Sequence, residues 1–111
     1  MTRDEIIDRG RRVVRLEREA LAEAESRVGE AFGRAVELIA SSKGRVIVAG
    51  VGKSGLVGRK IAATMTSTGT PATFLHPTES VHGDLGIVSS DDVAILISKS
   101  GETEELLPLL E

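Results

Sequence analysis

The 111-residue chain contains no cysteine, no tryptophan and no tyrosine, and its phenylalanines are limited to Phe32 and Phe74. The lack of cysteine excludes disulfides and thiolate chemistry and is typical of a reducing, cytoplasmic compartment. The scarcity of aromatic rings excludes a base-stacking platform, and a net charge of −3 gives no basic surface for nucleic acid. No apolar run reaches the roughly 18 residues of a membrane span. We therefore expect one small domain with neither nucleic-acid nor membrane partners.

Strands and helices alternate along the chain, which predicts an α/β fold with a parallel sheet and right-handed crossovers. The apolar spacing predicts two N-terminal helices, with Ser26 capping the second, and later helices that flank three apolar strands. The predicted helices are 3–25, 27–41, 54–68 and 102–111, and the predicted strands are 45–49, 72–75 and 93–97. The loop after the second strand could contain a short turn of helix around 80–86. The first helix has no obvious partner within the chain, which favours packing against another subunit.

The helix predicted at 54–68 carries apolar and basic side chains at different angles. It is expected to direct its apolar residues towards the sheet and its basic residues outwards. The inward set is Leu56, Val57, Ile61, Ala62 and Met65, and the outward set is Arg59 and Lys60.

The sequence GVGKSG at residues 50–55 directly follows an apolar strand. A glycine-rich turn between a strand and a helix brings backbone N–H groups close to an anion, usually a phosphate. A P-loop is disfavoured because its first glycine would fall on Ile47. Gly50, Gly52 and Gly55 match the dinucleotide spacing, but the next strand ends at His76 rather than at an acid. A turn in which the glycines serve only packing is the remaining alternative.

Three polar segments follow the three predicted strands, at 50–55, 76–82 and 98–103. Ligands of open α/β sheets bind beyond the carboxyl ends of the strands, so these segments should converge on one site. Ser98, Ser100 and Thr103 suit a phosphate monoester, although Ser100 or Thr103 could instead only cap a helix. His76 and His82 could act in acid–base chemistry, bind a metal, or only stiffen their loop.

These segments together resemble the sugar isomerase (SIS) domain and, within it, the arabinose-5-phosphate isomerases. The matching motifs are GVGKSG (50–55), GRKIAA (58–63), STGTP (67–71), HP (76–77), HGDLG (82–86) and SKSGE (98–102). The resemblance implies a three-layer αβα fold with a parallel sheet of flavodoxin-like or Rossmann-like order, here about three strands preceded by two helices. It also implies interconversion of D-arabinose 5-phosphate and D-ribulose 5-phosphate through an enediol, a step towards 3-deoxy-manno-octulosonate and lipopolysaccharide.

The same resemblance assigns roles to individual residues. It implies catalytic functions for Lys53, Glu105 and His82, and an inhibitory zinc contact at His76. It implies substrate contacts at Ser54, Gly69, Thr70, His76, His82, Ser98, Ser100 and Thr103. It further implies that no cofactor is needed and that the protein is a cytoplasmic homo-oligomer, a dimer or a tetramer.

Two departures from the family shape these expectations. Residue 99 is a lysine where the family commonly has asparagine, and the chain reaches Glu111 after three strands where the family has five. We therefore expect residues 1–44 to be N-terminal helices and 45–111 the first half of an SIS domain, without CBS repeats. Such a half-domain should self-associate, by edge pairing of its strand at 93–97 or by swapped helices, and have little isomerase activity alone. The alternatives are a non-catalytic sugar-phosphate-binding or oligomerisation module and, lower in rank, a dinucleotide-binding domain.

Overall fold

The structure, a computed structural model, describes residues 1–76 and 89–99. In chain order the described elements are α1 (Arg3–Arg27), α2 (Glu30–Ser41), β1 (Val46–Gly50), α3 (Lys53–Ser67), β2 (Ala72–Phe74) and β3 (Val93–Ile97). The short turn of helix predicted near 80–86 and the helix predicted at 102–111 lie outside the described residues. None of the described helices has the length and apolarity that a membrane span requires.

The three strands form a parallel sheet in the order β2-β1-β3. β1 pairs with β2 from Val46 opposite Ala72, and with β3 from Val46 opposite Val93 to Gly50 opposite Ile97. The predicted parallel sheet is thus confirmed, and its order is that of the first three strands of a flavodoxin-like sheet. The strand order reverses at β1, because the chain passes from β1 to β2 on one side and returns to β3 on the other.

β1 is the centre of the core. All five of its residues are buried, so side chains on both faces of the strand are removed from water. Val46 and Val48 join Ala62 of α3 in the buried cluster, with Ile61, Met65 and other half-buried residues around them. This burial explains the uninterrupted apolar sequence of β1, which is typical of a parallel strand covered on both faces.

The first half of α3 packs on the sheet through small residues, whereas Ile61 and Met65 pack against the core further along the helix, as predicted. Its buried residues are Gly55, Gly58 and Ala62, whereas Leu56 and Val57 are 68% and 55% exposed. The prediction that Leu56 and Val57 point inwards is therefore wrong. A Cβ added at Gly58 would lie 3.2 Å from Val48 Cγ1 and from Phe74 Cε1, so the backbone of α3 comes too close to the sheet for a large side chain.

The N-terminal helices differ from the prediction at their junction. α1 begins after a capping box in which Glu5 N–H donates to Thr2 Oγ1 and Thr2 N–H donates to the Glu5 carboxylate. α1 continues to Arg27, so Ser26 lies inside it and donates its hydroxyl to the Glu23 carbonyl instead of capping α2. The chain divides into two compact units, Met1–Glu37 and Leu38–Glu111.

Asp92 ties together the amino ends of β1 and β3. Its carboxylate is only 3% exposed and accepts hydrogen bonds from the backbone N–H of Arg45 at 2.7 Å and of Ser89 at 2.8 Å. The hydrogen bond from Ser89 contributes most to lowering the pKa of Asp92 below its ordinary value of 3.8, followed by that from Arg45. Gly44 N–H donates to the Asp91 carbonyl beside it, and a Cβ at Gly44 would meet Asp92.

Candidate functional site

The carboxyl edge of the sheet brings together the described parts of the three predicted polar segments. Gly50 at the end of β1 pairs with Ile97, so Ser98 follows directly beside the glycine turn. On the other side Val48 pairs with Phe74, which places His76 at about the level of Gly50. Adjacent strands are about 4.8 Å apart, so His76 and Ser98 flank the turn at a separation of roughly 10 Å between backbones. The predicted convergence on one edge therefore holds for the described parts of these segments.

Each glycine of the turn is required for a structural reason of its own. Gly52 has φ 61° and ψ −129°, a conformation that only glycine adopts readily. A Cβ on Gly55 would lie 2.7 Å from the Gly50 carbonyl oxygen, and one on Gly50 would lie 2.9 Å from Ser54. The turn is therefore so tight that each of the three positions requires glycine, before any ligand is considered.

Two backbone donors at the start of α3 have no acceptor among the described residues. Gly55 N–H donates to the Val51 carbonyl and Leu56 N–H to the Gly52 carbonyl, and Gly52 at the N-cap has no side chain to cap the helix. Within residues 1–76 and 89–99, nothing accepts a hydrogen bond from the N–H groups of Lys53 and Ser54. Such N–H groups and the positive end of the helix dipole together favour an anion at this point.

The described residues at this edge include two lysines and a histidine but no acid. Lys53 and Lys99 are exposed, His76 is half-buried, and the described residues around them at 50–54, 75–76 and 98–99 include no Asp or Glu. Ser54 and Ser98 supply half-buried hydroxyls. An edge with two ammonium groups, two hydroxyls and the two helix-terminal amides is suited to bind a dianion such as a phosphate monoester.

Phe74 connects α3 to His76, a contact that no feature of the sequence indicated. The Phe74 and His76 rings are 6.5 Å apart between centroids at an interplanar angle of 63°. Arg59 is exposed, as predicted, yet its guanidinium lies 4.3 Å from the Phe74 ring centroid. The ring also rests on Gly55 and Gly58. From the sequence, a phenylalanine in an apolar strand such as Phe74 indicates only a core residue.

The structure does not bring every predicted site residue to this edge. Gly69 and Thr70 follow the last turn of α3, and the adjacent Pro71 carbonyl accepts from Val46 N–H at the start of β1. They lie at the amino edge, about 22 Å along α3 from Lys53, since α3 has 15 residues. Their predicted substrate contact stays a prediction, and it cannot be made together with Lys53 of the same chain to one small ligand.

Other predicted residues lie outside the described part of the chain. These are His82, Ser100, Thr103 and Glu105. Residues 1–76 and 89–99 contain no group of three His, Cys, Asp or Glu that could hold a metal ion. The predicted zinc contact at His76 therefore needs further ligands from elsewhere, and it stays a prediction.

The chain is similar in sequence to known sugar-phosphate enzymes. It is 49% identical over 106 residues to the arabinose 5-phosphate isomerase KdsD of Pseudomonas aeruginosa, covering 96% of this chain and 32% of the relative. It is 48% identical over 111 residues to the arabinose 5-phosphate isomerase GutQ of Salmonella typhi, covering 97% and 35%. The chain thus spans about a third of the length of the curated relatives it matches.

A solved structure extends the likeness to the fold. The Escherichia coli CFT073 protein c3406, solved in complex with arabinose 5-phosphate, superposes with a TM-score of 0.93 at 45% identity, covering 99% of this chain and 58% of that one. The predicted αβα fold class is confirmed by this agreement. The SIS domain model matches residues 38–111, well over half of the sequence. The chain therefore belongs to the SIS domain family.

Proposed function

We propose that this chain is part of a sugar-phosphate isomerase that interconverts D-arabinose 5-phosphate and D-ribulose 5-phosphate. The observation that carries the proposal is the start of α3, where the N–H groups of Lys53 and Ser54, which donate to no described residue, meet the cationic edge of the sheet. The likeness to the KdsD and GutQ relatives and to c3406 with bound arabinose 5-phosphate supports the choice of sugar.

The phosphate is expected to serve as a handle that holds the reacting carbons in place. The amides at the start of α3, with Ser54 and Ser98, bind its oxygens, and Ser100 and Thr103 complete the set. Binding energy from this remote group orients C1 and C2 for proton transfer. Lys99 adds a second cation beside the phosphate and should strengthen its binding.

The reaction itself moves one proton between neighbouring carbons. A base removes the proton from C2 of the aldose, the C1 carbonyl oxygen gains a proton, and a C1–C2 enediol forms. The C2 hydroxyl then gives up its proton as C1 gains one, which yields the ketose. We assign Lys53 to stabilise the developing negative charge on oxygen, and Glu105 and His82 to the proton transfers. His76 contacts the sugar beside them.

The wider assignment follows from the same family membership. We propose a cytoplasmic homo-oligomer, a dimer or tetramer, that requires no cofactor and serves 3-deoxy-manno-octulosonate and lipopolysaccharide synthesis. Residues 1–44 are the N-terminal helices and 45–111 the first half of the SIS domain. Gly69 and Thr70 would contact substrate only from another subunit, because they lie at the opposite edge of their own sheet.

A binding experiment tests the anion site directly. Calorimetry should show that the chain binds arabinose 5-phosphate but neither arabinose nor NAD. Lys53→Ala should weaken binding about 10- to 140-fold, since a charged hydrogen bond contributes about 1.5–3 kcal/mol. Lys60→Ala is the matched control, because Lys60 is an exposed lysine on the same helix. Equal loss in both variants, or binding of NAD in preference to the sugar phosphate, would refute the proposed site.

A non-catalytic sugar-phosphate-binding module is the second candidate. It is favoured by the carboxyl edge itself, where the described residues offer groups that bind anions but no carboxylate base. Proton NMR of arabinose 5-phosphate in deuterium oxide separates the two functions. An isomerase exchanges the C2 proton for deuterium in a Lys53-dependent manner, whereas a binding module leaves that signal intact.

A further inference from the structure

Phe74 and His76 lie on the face of the sheet that α3 covers. Residues 74 and 76 are two apart on an extended chain, so their side chains point to one face, and the buried Leu75 between them points to the other. Leu75 N–H still donates to a carbonyl of β1 at 2.8 Å, which keeps this segment in register with the sheet up to the carboxyl edge. Because the Phe74 ring rests on Gly55 and Gly58, the face shared with His76 is that of α3.

Three groups contact the Phe74 ring. A Cβ built on Gly55 would lie 3.6 Å from Cζ of the ring and one on Gly58 would lie 3.2 Å from Cε1, so the first two turns of α3 form one boundary. The Arg59 guanidinium lies over the ring, 4.3 Å from its centroid. The His76 ring meets it edge to face, with the centroids 6.5 Å apart. The groups that hold the Phe74 ring therefore also limit where the His76 ring can lie.

We propose that Phe74 and Arg59 are positioning residues for His76 in the sugar-phosphate site. Phe74 keeps the imidazole on the α3 side of the carboxyl edge, beside the turn whose amides bind the phosphate, and the exposed Arg59 holds the Phe74 ring from the solvent side. His76 is then oriented before the substrate binds, so less binding energy is lost in ordering its side chain. The inference rests on the proposed function, because the contact of His76 with the sugar belongs to that function.

The two parts of the substrate should respond differently to the loss of the Arg59 contact. In the proposed site the phosphate binds to the amides of Lys53 and Ser54, whereas His76 contacts the sugar. Removal of the guanidinium should therefore weaken binding of arabinose 5-phosphate and leave binding of inorganic phosphate unchanged. A cation over an exposed ring corresponds to about a two- to fivefold change in a dissociation constant.

Amide NMR titrations of the chain with each ligand measure both affinities at the same residues, through the signals of Lys53 and Ser54. Arg59→Met keeps a long apolar side chain but removes the guanidinium, and it should raise the dissociation constant of arabinose 5-phosphate about two- to fivefold. Arg59→Lys, which keeps a cation, should restore part of that loss. Lys60→Met removes the same charge from the next residue of α3, also exposed, and should change neither affinity.

A double-mutant cycle tests whether Arg59 acts through His76. If it does, Arg59→Met should have no further effect in a His76→Ala chain, although each change alone weakens binding of arabinose 5-phosphate. An equal fold-loss in both backgrounds would show that Arg59 acts on the ligand directly and would overturn the proposal. If inorganic phosphate binds more weakly to Arg59→Met than to Lys60→Met, the change has distorted the phosphate-binding turn, and the proposal is overturned as well.

The ring contact itself can be measured without any ligand. The chain has two phenylalanines, two histidines and no other aromatic residue, so its aromatic NMR signals are few. The nuclear Overhauser contact between the Phe74 and His76 rings should persist in Lys60→Met and weaken in Arg59→Met. An unchanged contact in Arg59→Met refutes the positioning role, whether or not the chain binds sugar phosphate. A contact that depends on Arg59 in a chain that binds no arabinose 5-phosphate would instead refute the proposed function, and the sugar contact of His76 with it.

Discussion

Gly55→Ala should destabilise the sheet, although alanine is the better helix former. The substitution places a carbon 2.7 Å from the Gly50 carbonyl oxygen and 3.2 Å from its carbonyl carbon. Both atoms belong to the backbone of β1, which is held on its other side by pairing with β3, so neither can rotate away. Overpacking of this kind costs about 1–3 kcal/mol, and a contact this short belongs at the upper end. The higher helix propensity of alanine offsets about 1 kcal/mol of this cost, so the free energy of unfolding should fall by about 2 kcal/mol.

Gly33→Ala is the matched control for this prediction. Gly33 also lies inside a helix, α2, but a Cβ there meets no described atom within 4 Å. The substitution should therefore stabilise α2 by about 1 kcal/mol through helix propensity alone. The same Gly→Ala substitution is thus expected to lower stability at residue 55 and to raise it at residue 33. The contact with Gly50 is the cause of this difference in sign.

Native-state hydrogen exchange measures these effects where they occur. The amides of Ile47, Val48 and Ala49 lie in the central strand and report the stability of the sheet. Their exchange should be about 30-fold faster in Gly55→Ala, from a loss of about 2 kcal/mol at roughly 1.4 kcal/mol per decade. In Gly33→Ala the α2 amides should exchange about fivefold more slowly, by the same conversion. Unchanged or slower exchange of the β1 amides in Gly55→Ala would refute the packing argument.

Three further substitutions isolate other features of the fold and site. Asp92→Asn should lower the free energy of unfolding measured with urea at pH 7. Because the pKa of Asp92 is lowered from 3.8 in the folded chain, the carboxylate's contribution is complete above pH 3.8 and is lost as the group protonates at lower pH. The difference in stability between Asp92→Asn and the original chain should therefore vanish as the pH falls below 3.8. Gly52→Ala should lower the melting temperature by about 4–8 °C through backbone strain alone, since no described atom lies near its Cβ. Phe74→Leu should weaken arabinose 5-phosphate binding severalfold in calorimetry by removing the ring that packs against His76, whereas Phe32→Leu, at an exposed ring, should not.

The strands were predictable because their sequences fit only one kind of element. Residues 93–97 are uninterrupted apolar residues, and the structure has β3 at Val93–Ile97, as predicted. β1 is shifted by one residue from the predicted 45–49: Arg45 donates its N–H to the Asp92 carboxylate, although its carbonyl still accepts from Val93 N–H at the start of β3. Parallel strands then bring their carboxyl ends to one edge, so the meeting of Lys53, His76 and Ser98 followed from chain order alone.

The apolar pattern predicted the packing of Ile61, Ala62 and Met65 correctly but not that of the first half of α3. A hydrophobic pattern assigns large side chains to the buried face, and here Leu56 and Val57 are exposed while Gly55 and Gly58 are buried. The deciding quantity is the distance between the helix backbone and the sheet, which depends on residues across the interface such as Val48. That information lies in residues distant along the chain, so no periodicity within the helix reports it.

The spacing of the three turn glycines reports a turn and not a ligand. Gly50 and Gly55 are required because their backbones touch, and Gly52 is required by its positive φ. Any strand that turns this tightly into a helix would need the same spacing, whether it binds a dinucleotide, a sugar phosphate or nothing. The ligand class must therefore be argued from the residues around the turn.

Here the described residues around the turn include two lysines, a histidine and two serine hydroxyls, distributed over all three strand ends. A dinucleotide site would instead have an acid after the second strand to hold the ribose, at the place where this chain has His76. His76→Asp should accordingly weaken arabinose 5-phosphate binding, because a carboxylate would repel the phosphate, without creating affinity for NAD. Calorimetry that detected NAD binding in this variant would show that the glycine turn and one acid are sufficient to select the dinucleotide, and that the surrounding cations do not decide the ligand class.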